Sequence, residues 1–326
     1  MRDRVVVVTG AGGFIGSHLA EHLVREGARV RAFVHYRSDG GLGWLTGSAE
    51  SKKMEIVAGD IRDAERIRWA CRGADTVFHL AALIGIPYSS LAPAAYIATN
   101  VMGTHHVLEA SREAAVSSIV VVSTSEVYGT AQRVPMDEGH PVSAQSPYAA
   151  TKIALEQLAL SYHRAFGLPA KVVRPFNTFG PRQSARAVIP AIVAQMAGGQ
   201  RPVRVGNTGP TRDFTFVSDT VKGLVAVADC PDLEGDIANI GSGHEVSIEA
   251  LIGEIAGLMG VAPEWISEES HRRTEAVEVA RLCCDASKVR RMTGWAPRVA
   301  FKDGLSETIG WIRSNLHRYR TDQYAV

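Results

Sequence analysis

The amino-acid sequence predicts an α/β fold, a doubly wound parallel sheet with a smaller C-terminal lobe, and three observations carry that expectation. The first half alternates short β-rich runs with helical patterns, the rhythm of βαβ units. A glycine-rich turn, Gly10 to Gly16, follows the first apolar run directly and opens the first helical pattern. Beyond Pro175 the rhythm loosens into shorter elements between Gly- and Pro-rich turns.

In chain order, Val5–Thr9, Val30–His35, Glu55–Ala58, Thr76–His79, Ser118–Ser123 and Lys171–Arg174 read as strands. Their near-continuous apolar, β-branched character is that of strands covered on both faces. Phe14–Glu26, Asp63–Cys71, Pro93–Ala115 and Pro147–Phe166 read as the helices between them. Six strands in this rhythm make a dinucleotide-binding domain of Rossmann type. Gly198-Gly199, Gly206–Pro210 and Gly241–Gly243 punctuate the second half, and Lys302–Leu316 is an amphipathic closing helix. Arg212–Asp229 and Ile237–Ile240 are expected to return to the main sheet. The dinucleotide domain is therefore expected over 1–176 with about 213–243, and a substrate lobe over about 177–212 with 244–326.

A chain of 326 residues suffices for one large α/β unit or two domains. With 46% hydrophobic residues, 21% charged and a formal charge of +1, neither sign dominates and no nucleic-acid partner is expected. Val5–Val8 is too short for a signal peptide, and no run approaches the ~18 apolar residues of a membrane span. No membrane association is expected, and the location is expected to be cytoplasmic. The four cysteines, Cys71, Cys230, Cys283 and Cys284, lack metal-ligand spacing, and His105-His106 cannot share a helix face. No metal site is expected.

The chemistry-bearing residues cluster in two places. Tyr148 and Lys152 lie four apart on a predicted helix and so share one face. An ammonium there would favour the phenolate and lower the tyrosine pKa. Ser123-Thr124-Ser125-Glu126 ends the fifth strand; a hydroxyl there can share the proton that the tyrosine takes from a substrate alcohol. That is a site for oxidising a carbinol with a bound nicotinamide, and the Glu126 carboxylate is more than simple oxidation needs. Upstream, Gly10, Gly13 and Gly16 with Phe14 and Ile15 form a strand–turn–helix whose backbone N–H groups can approach a pyrophosphate. The end of the second strand carries no carboxylate before Asp39, and His35 and Arg37 could receive a 2′-phosphate, so NADP is at least as plausible as NAD; a solvated loop is the alternative. Asp60, next to Ile61, could stand beside the adenine amino group or cap the following helix. Leu80-Ala81-Ala82 would let a cofactor lie close to the backbone, and His79 reads as a satisfied core histidine.

Jointly, Gly10–Gly16, Gly59-Asp60-Ile61-Arg62, His79–Ala82, Asn100, Ser123–Tyr128, Tyr148/Lys152, Arg174-Pro175-Phe176-Asn177 and Arg212-Asp213-Phe214 resemble the extended short-chain dehydrogenase/reductases that act on nucleotide sugars. The resemblance to this NAD-dependent epimerase/dehydratase family spans essentially the whole chain. Glutamate at position 126 is similar to the 4,6-dehydratases, including the GDP-mannose type; in 4-epimerases that position is normally not acidic, and UDP-glucuronate decarboxylases share the glutamate. Tyr36-Arg37-Ser38 and Gly43-Trp44-Leu45, with the run from Pro175 to Arg186, look closest to dehydratases of the legionaminic-acid type, which act on an N-acetylglucosamine nucleotide.

The resemblance implies a nucleotide-sugar 4,6-dehydratase. Tyr148 would be the C4 base, Lys152 would lower its pKa and hold the ribose, and Thr124 would bond the C4 oxygen. Glu126 would take the C5 proton as the C6 hydroxyl leaves, with Ser125 where glucose-nucleotide dehydratases carry an aspartate. Hydride returning to C6 gives a 4-keto-6-deoxy sugar, so the NAD or NADP would be tightly bound and recycled. Asn100 and Pro175 would also meet the cofactor. Asn177 and Arg212 would hold the diphosphate, joined by Arg281, and Val188 would line the nucleotide pocket. The helices Pro93–Ala115 and Pro147–Phe166 would pair into a homodimer. The rival readings are a decarboxylase or 4-epimerase of the same family, and a non-catalytic dinucleotide-binding sensor.

Overall fold

In the computed structural model, which describes residues 1–268 and 279–319, the chain winds a seven-stranded parallel sheet whose last strand ends at Ile240. In chain order the first elements are β1 (Val5–Thr9), α1 (Phe14–Arg25), β2 (Arg29–His35), β3 (Glu55–Gly59), α2 (Ala64–Cys71) and β4 (Thr76–His79). Next come α3 (Ile86–Leu91), α4 (Pro93–Tyr96), α5 (Gly103–Glu113), β5 (Ser118–Val122), α6 (Pro147–Phe166) and β6 (Ala170–Pro175). The second half holds β7 (Asn177–Phe179), α7 (Val188–Ala197), β8 (Val203–Val205), β9 (Thr211–Phe216), α8 (Val217–Ala228), β10 (Ile237–Ile240) and β11 (Glu245–Ser247). It closes with α9 (Ile248–Met259), β12 (Trp265–Ser267), α10 (Ser287–Thr293) and α11 (Phe301–Ser314).

The sheet order is β10-β6-β5-β4-β1-β2-β3, and every pairing is parallel. The valine run of β1 explains why it is central. Val6 and Val8 enter the core on one face while Val7 enters a second core on the other, as the two-residue period of a strand requires. Strand order reverses between β1 and β4, which opens a crevice at their carboxyl ends. The site is built there.

Helix α6 has clear local causes at both ends. Ser146 caps it by accepting from the Ala149 N–H at 3.1 Å, Pro147 occupies the first turn, and Gly167 ends it in the left-handed conformation at φ 67°.

Two expectations need correction. The strand at Arg212 does not join the main sheet: β9 pairs with β7 and β11 in a separate three-stranded sheet, and only α8 after it packs back on β5 and β6. The Asp213 carboxylate shows why, since it accepts from the Ser242, Gly243 and Cys284 N–H groups and so ties β9 to the segments beside β11. Ile237–Ile240 does join, beside β6. The helix expected over 93–115 is not one regular helix, because Ile97–Met102 forms a π-helical segment between α4 and α5. The short helix α3 had no counterpart in the sequence reading.

Of the expected C-terminal lobe, 269–278 and 320–326 lie outside the described residues. All four cysteines are free and buried. Among the described residues, no helix is long and apolar enough to cross a membrane.

Candidate active site

The crevice floor is the turn from β1 into α1. Gly10 has φ +71°, and a Cβ on it would lie 2.9 Å from the Ala81 nitrogen; at Gly16 a Cβ would lie 2.2 Å from the Gly10 carbonyl oxygen. Gly13 supplies no side-chain cap to α1, and no acidic residue stands in its first turn. The leading amides, with Phe14 and Ile15 at their head, and the positive end of the helix dipole therefore remain available to an anion. Thr9 ties this turn to the end of β4. Its Oγ1 accepts from the Leu80 and Ala81 N–H groups at 3.1 and 3.2 Å and bonds His79 Nδ1 at 2.8 Å. His79 Nε2 meets Thr104 Oγ1 at 2.9 Å, and complete burial lowers the ring pKa to about 3, so it is neutral. His79 is thus a core histidine. These features fit a dinucleotide diphosphate laid across Gly10–Gly16 and Leu80–Ala82.

At the end of β2 both expected phosphate-side residues are exposed, and Arg37 is not idle. Its guanidinium grips Asp39 through two bonds of 3.1 and 2.8 Å, which holds the Asp39 carboxyl down at about 2. Asp60 does not cap α2; Asp63 does, accepting from the Arg66 N–H at 3.1 Å. Instead Asp60 grips Arg62 at 2.9 and 2.6 Å, while Ile61 packs in the core against Gly103. Asn100, in the π segment, is fully buried. It bonds the Leu83 N–H at 2.8 Å, the Leu83 carbonyl at 3.0 Å and Thr151 Oγ1 at 3.0 Å. It therefore pins the loop after β4 to α6.

Thr124 leaves β5 in an extended conformation and caps a 3₁₀ turn over Ser125–Tyr128, accepting from the Glu126 N–H at 3.2 Å. Ser125 is buried beneath it. One turn apart on α6, Tyr148 and Lys152 are both buried. The Thr124 hydroxyl hydrogen-bonds the Tyr148 phenol, and the Glu126 carboxylate is close enough to act on the same group. The expected lowering of Tyr148 by Lys152 is not what the protein alone does. Burial pushes the phenol well above its ordinary range, Glu126 adds to the rise, and only the Thr124 bond opposes them. Lys152 Nζ points instead to the Val122 carbonyl at 2.8 Å, and burial lowers its own pKa to about 8.

On the opposite wall, β6 ends at Pro175 and Asn177 follows, with its Oδ1 buried and without a partner among the described residues. Val188 opens α7, whose Ala187 cap offers no side chain to the amides. Arg212 donates to the Thr211 and Val279 carbonyls at 2.9 and 2.8 Å. Arg281 is exposed and engaged with the Glu245 carboxylate, which also accepts from Thr211. A diphosphate would have to share Arg281 with that carboxylate.

Sequence reasoning passed over several residues of this site. Tyr96 stands edge-on to Tyr148 with ring centroids 6.3 Å apart and donates to the Gly85 carbonyl at 2.5 Å. Thr9 carried a signal only in its place at the end of β1. A His-x-x-x-His spacing does occur at His18 and His22 on α1, but His18 Nε2 is spent on the Pro181 carbonyl at 3.0 Å. Among the described residues no three potential ligands could hold a metal ion.

A sequence model of GDP-mannose 4,6 dehydratase matches residues 7–308. The chain belongs to that family. Within it, the chain is 33% identical over 317 residues to a dTDP-glucose 4,6-dehydratase of an Actinoplanes species, covering 95% of this chain and 98% of the relative. The family's solved structures superpose closely. The dTDP-glucose 4,6-dehydratase DesIV of Streptomyces venezuelae, determined with NAD bound, gives a TM-score of 0.86 at 30% identity, over 97% of this chain and 98% of DesIV. The epimerase Mth375 of Methanothermobacter thermautotrophicus gives 0.88 at 30% identity, over 97% and 94%. The chain is thus an enzyme of the NAD-dependent dehydratase/epimerase family, with the extended short-chain dehydrogenase/reductase fold.

Proposed function

We propose that the chain is a nucleotide-sugar 4,6-dehydratase. The observation that carries this reading is Glu126 on the 3₁₀ turn that Thr124 caps, its charge raising the Tyr148 phenol while Thr124 bonds that phenol. The turn after β5 then carries both a hydroxyl for the C4 oxygen and a separate base for a neighbouring carbon.

Tyr148, once it is the phenolate, takes the C4 hydroxyl proton, and the Thr124 hydroxyl holds the oxygen in line. Bound nicotinamide cofactor supplies the acceptor and later the donor of a hydride. Once C4 is a ketone, the C5–H is acidic, and Glu126 takes that proton while the C6 hydroxyl leaves as water. General acid–base help of this kind contributes ~10²–10⁴-fold. Ser125, buried next to Glu126, offers no carboxyl of its own, so Glu126 both takes and returns protons in this scheme. Gly10, Gly13 and Gly16 cradle the cofactor diphosphate, and Asn177, Arg212 and Arg281 face the substrate diphosphate.

The substrate we favour is an N-acetylglucosamine nucleotide, on the likeness of Tyr36–Ser38 and Gly43–Leu45 to dehydratases that take one. For the cofactor, the Arg37–Asp39 pair supports NAD, because the guanidinium that a 2′-phosphate would need is already neutralised. Ile97, Met102 and Phe166 expose large apolar side chains on the two helical segments expected to pair into a homodimer. A 4-epimerase is the second reading, favoured by Ser125 in place of an acid and by the likeness to Mth375.

Incubation with a panel of nucleotide sugars, followed by mass spectrometry, tests the proposal. Loss of water from UDP-N-acetylglucosamine or from a GDP- or dTDP-linked hexose is expected. Unchanged mass with an inverted C4 centre would mean an epimerase, and loss of carbon dioxide from UDP-glucuronate a decarboxylase.

A further inference from the structure

Behind the reacting groups lies a buried ionic cluster that the proposed mechanism does not use. Glu156 sits on α6, four residues past Lys152, and is fully buried. Its Oε1 accepts from the Ser123 hydroxyl at 2.5 Å and from Arg174 Nε at 2.8 Å, and its Oε2 accepts from Arg174 Nη2 at 2.6 Å. Arg174, on β6, is 3% exposed and lies over the Tyr128 ring at 4.7 Å. Tyr128 in turn donates to Asn239 Oδ1 on β10 at 2.7 Å. One carboxylate thus joins three elements: the end of β5, where Ser123 precedes Thr124; β6; and the helix that carries Tyr148 and Lys152.

A buried ion pair is an expensive way to stabilise a fold, since an apolar pair of similar volume often does as well. Its geometry here suggests another use. Thr124 and Tyr148 must keep one separation for the proton transfer, yet they sit on different elements. Those elements are tied by the Ser123–Glu156 bond, one residue from Thr124 and two turns from Tyr148.

We propose that Glu156 is a positioning residue of the reaction, fixing the β5 end against α6 through Ser123 and Arg174 and setting a permanent negative charge one helical turn from the Lys152 ammonium. The inference rests on the reading of Tyr148 and Lys152 as the oxidation machinery, and is indifferent to whether dehydration or epimerisation follows. The groups facing Lys152 are Glu156 on its own helix, neutral His79 on β4, and the Val122 carbonyl on β5. Burial depresses the lysine and Glu156 opposes it. Removing the carboxylate must therefore lower the Lys152 pKa further, so the ammonium is lost at a lower pH.

The test measures the C4 oxidation step alone, as the rate at which bound NAD is reduced on mixing with the nucleotide sugar that the wild-type chain turns over. Ser123→Ala leaves the ion pair intact and cuts only its tie to β5. We expect the rate to fall about tenfold with little change in KM, as for a small displacement of reacting groups, and the alkaline limb of the pH profile to stay in place. Glu156→Gln, and the charge-neutral pair Glu156→Gln/Arg174→Gln should the single variant fold poorly, should move that limb to lower pH. An NMR titration of isotope-labelled lysine in the cofactor-free chain should show the same acidward shift at Lys152. A Ser123→Ala enzyme with wild-type rate, or a Glu156 variant that loses thermal stability while limb and titration stay put, overturns the proposal. A wild-type chain whose cofactor no nucleotide sugar reduces overturns the function and this inference together.

Discussion

The hydroxyl of Thr9 stands 2.8 Å from Nδ1 of His79, and through that contact the ends of β1 and β4 are held together under the cofactor cradle. The contact also has a titration signature. Burial lowers His79 from 6.5 to about 3, so the folded chain keeps it neutral where the unfolded chain protonates it. Its contribution to stability is complete above pH 6.5 and is lost as pH falls from 6.5 toward 3, at up to about 1.4 kcal/mol per pH unit. A His79→Gln variant lacks this component. Its Tm should be lower at neutral pH but should decline less steeply than wild type between about pH 7.5 and about pH 5. Parallel slopes would show that another group carries the acid sensitivity.

Gly16 answers to a steric demand. A methyl there would sit 2.2 Å from the Gly10 carbonyl oxygen and 3.1 Å from the Ala11 Cα, both backbone atoms of the cradle itself. No side chain can move aside, so the turn must open. Gly16→Ala should cost about 1–3 kcal/mol, the range of overpacking, and should reduce the NAD carried through purification. Differential scanning calorimetry and the cofactor content of denatured protein measure the two effects. Wild-type NAD content would mean that the cradle does not hold the diphosphate.

How much of this site could be seen beforehand depends on how local its causes are. Gly10–Gly16 and Tyr148/Lys152 are legible because a turn and a helix face are set by neighbours within seven residues. The valines of β1 are legible because a strand buried on both faces must be apolar throughout. Arg212 was misplaced because sequence order hides that β9 pairs with β7 and β11. Glu156 carries no local signal, since its partners Ser123 and Arg174 come from the end of β5 and from β6. The four-residue spacing predicts that Lys152 lowers Tyr148, whereas the burial that raises the phenol and the turn of Lys152 Nζ toward the Val122 carbonyl are properties of the folded chain.

The Arg37–Asp39 pair predicts a change of cofactor preference. Both side chains are more than half exposed, so their bond adds little to stability. It does occupy the Nε–Nη2 edge of the guanidinium and offset the charge that a 2′-phosphate would need. Asp39→Ala should free Arg37 and raise the affinity for NADP relative to NAD by roughly tenfold, the worth of a charge-assisted hydrogen bond. Titration of both cofactors by fluorescence quenching gives the ratio. If it does not move, Arg37 lies away from the adenosine ribose.

Glu126 bears the specific functional claim, and its removal should split the reaction in two. The 3₁₀ turn that carries it is held by the Thr124 cap through the Glu126 backbone N–H, which a side-chain amide leaves intact. Glu126→Gln should therefore fold normally, keep the Thr124–Tyr148 bond and still oxidise the substrate at C4. Without a carboxylate to take the C5 proton, water should not leave, and dehydration should slow by ~10²–10⁴-fold. Rapid mixing would then show the cofactor reduced and staying reduced, while mass spectrometry finds no deoxy product. A variant that still yields the deoxy sugar at the wild-type rate would remove Glu126 from the second step and leave the chain without its dehydratase argument.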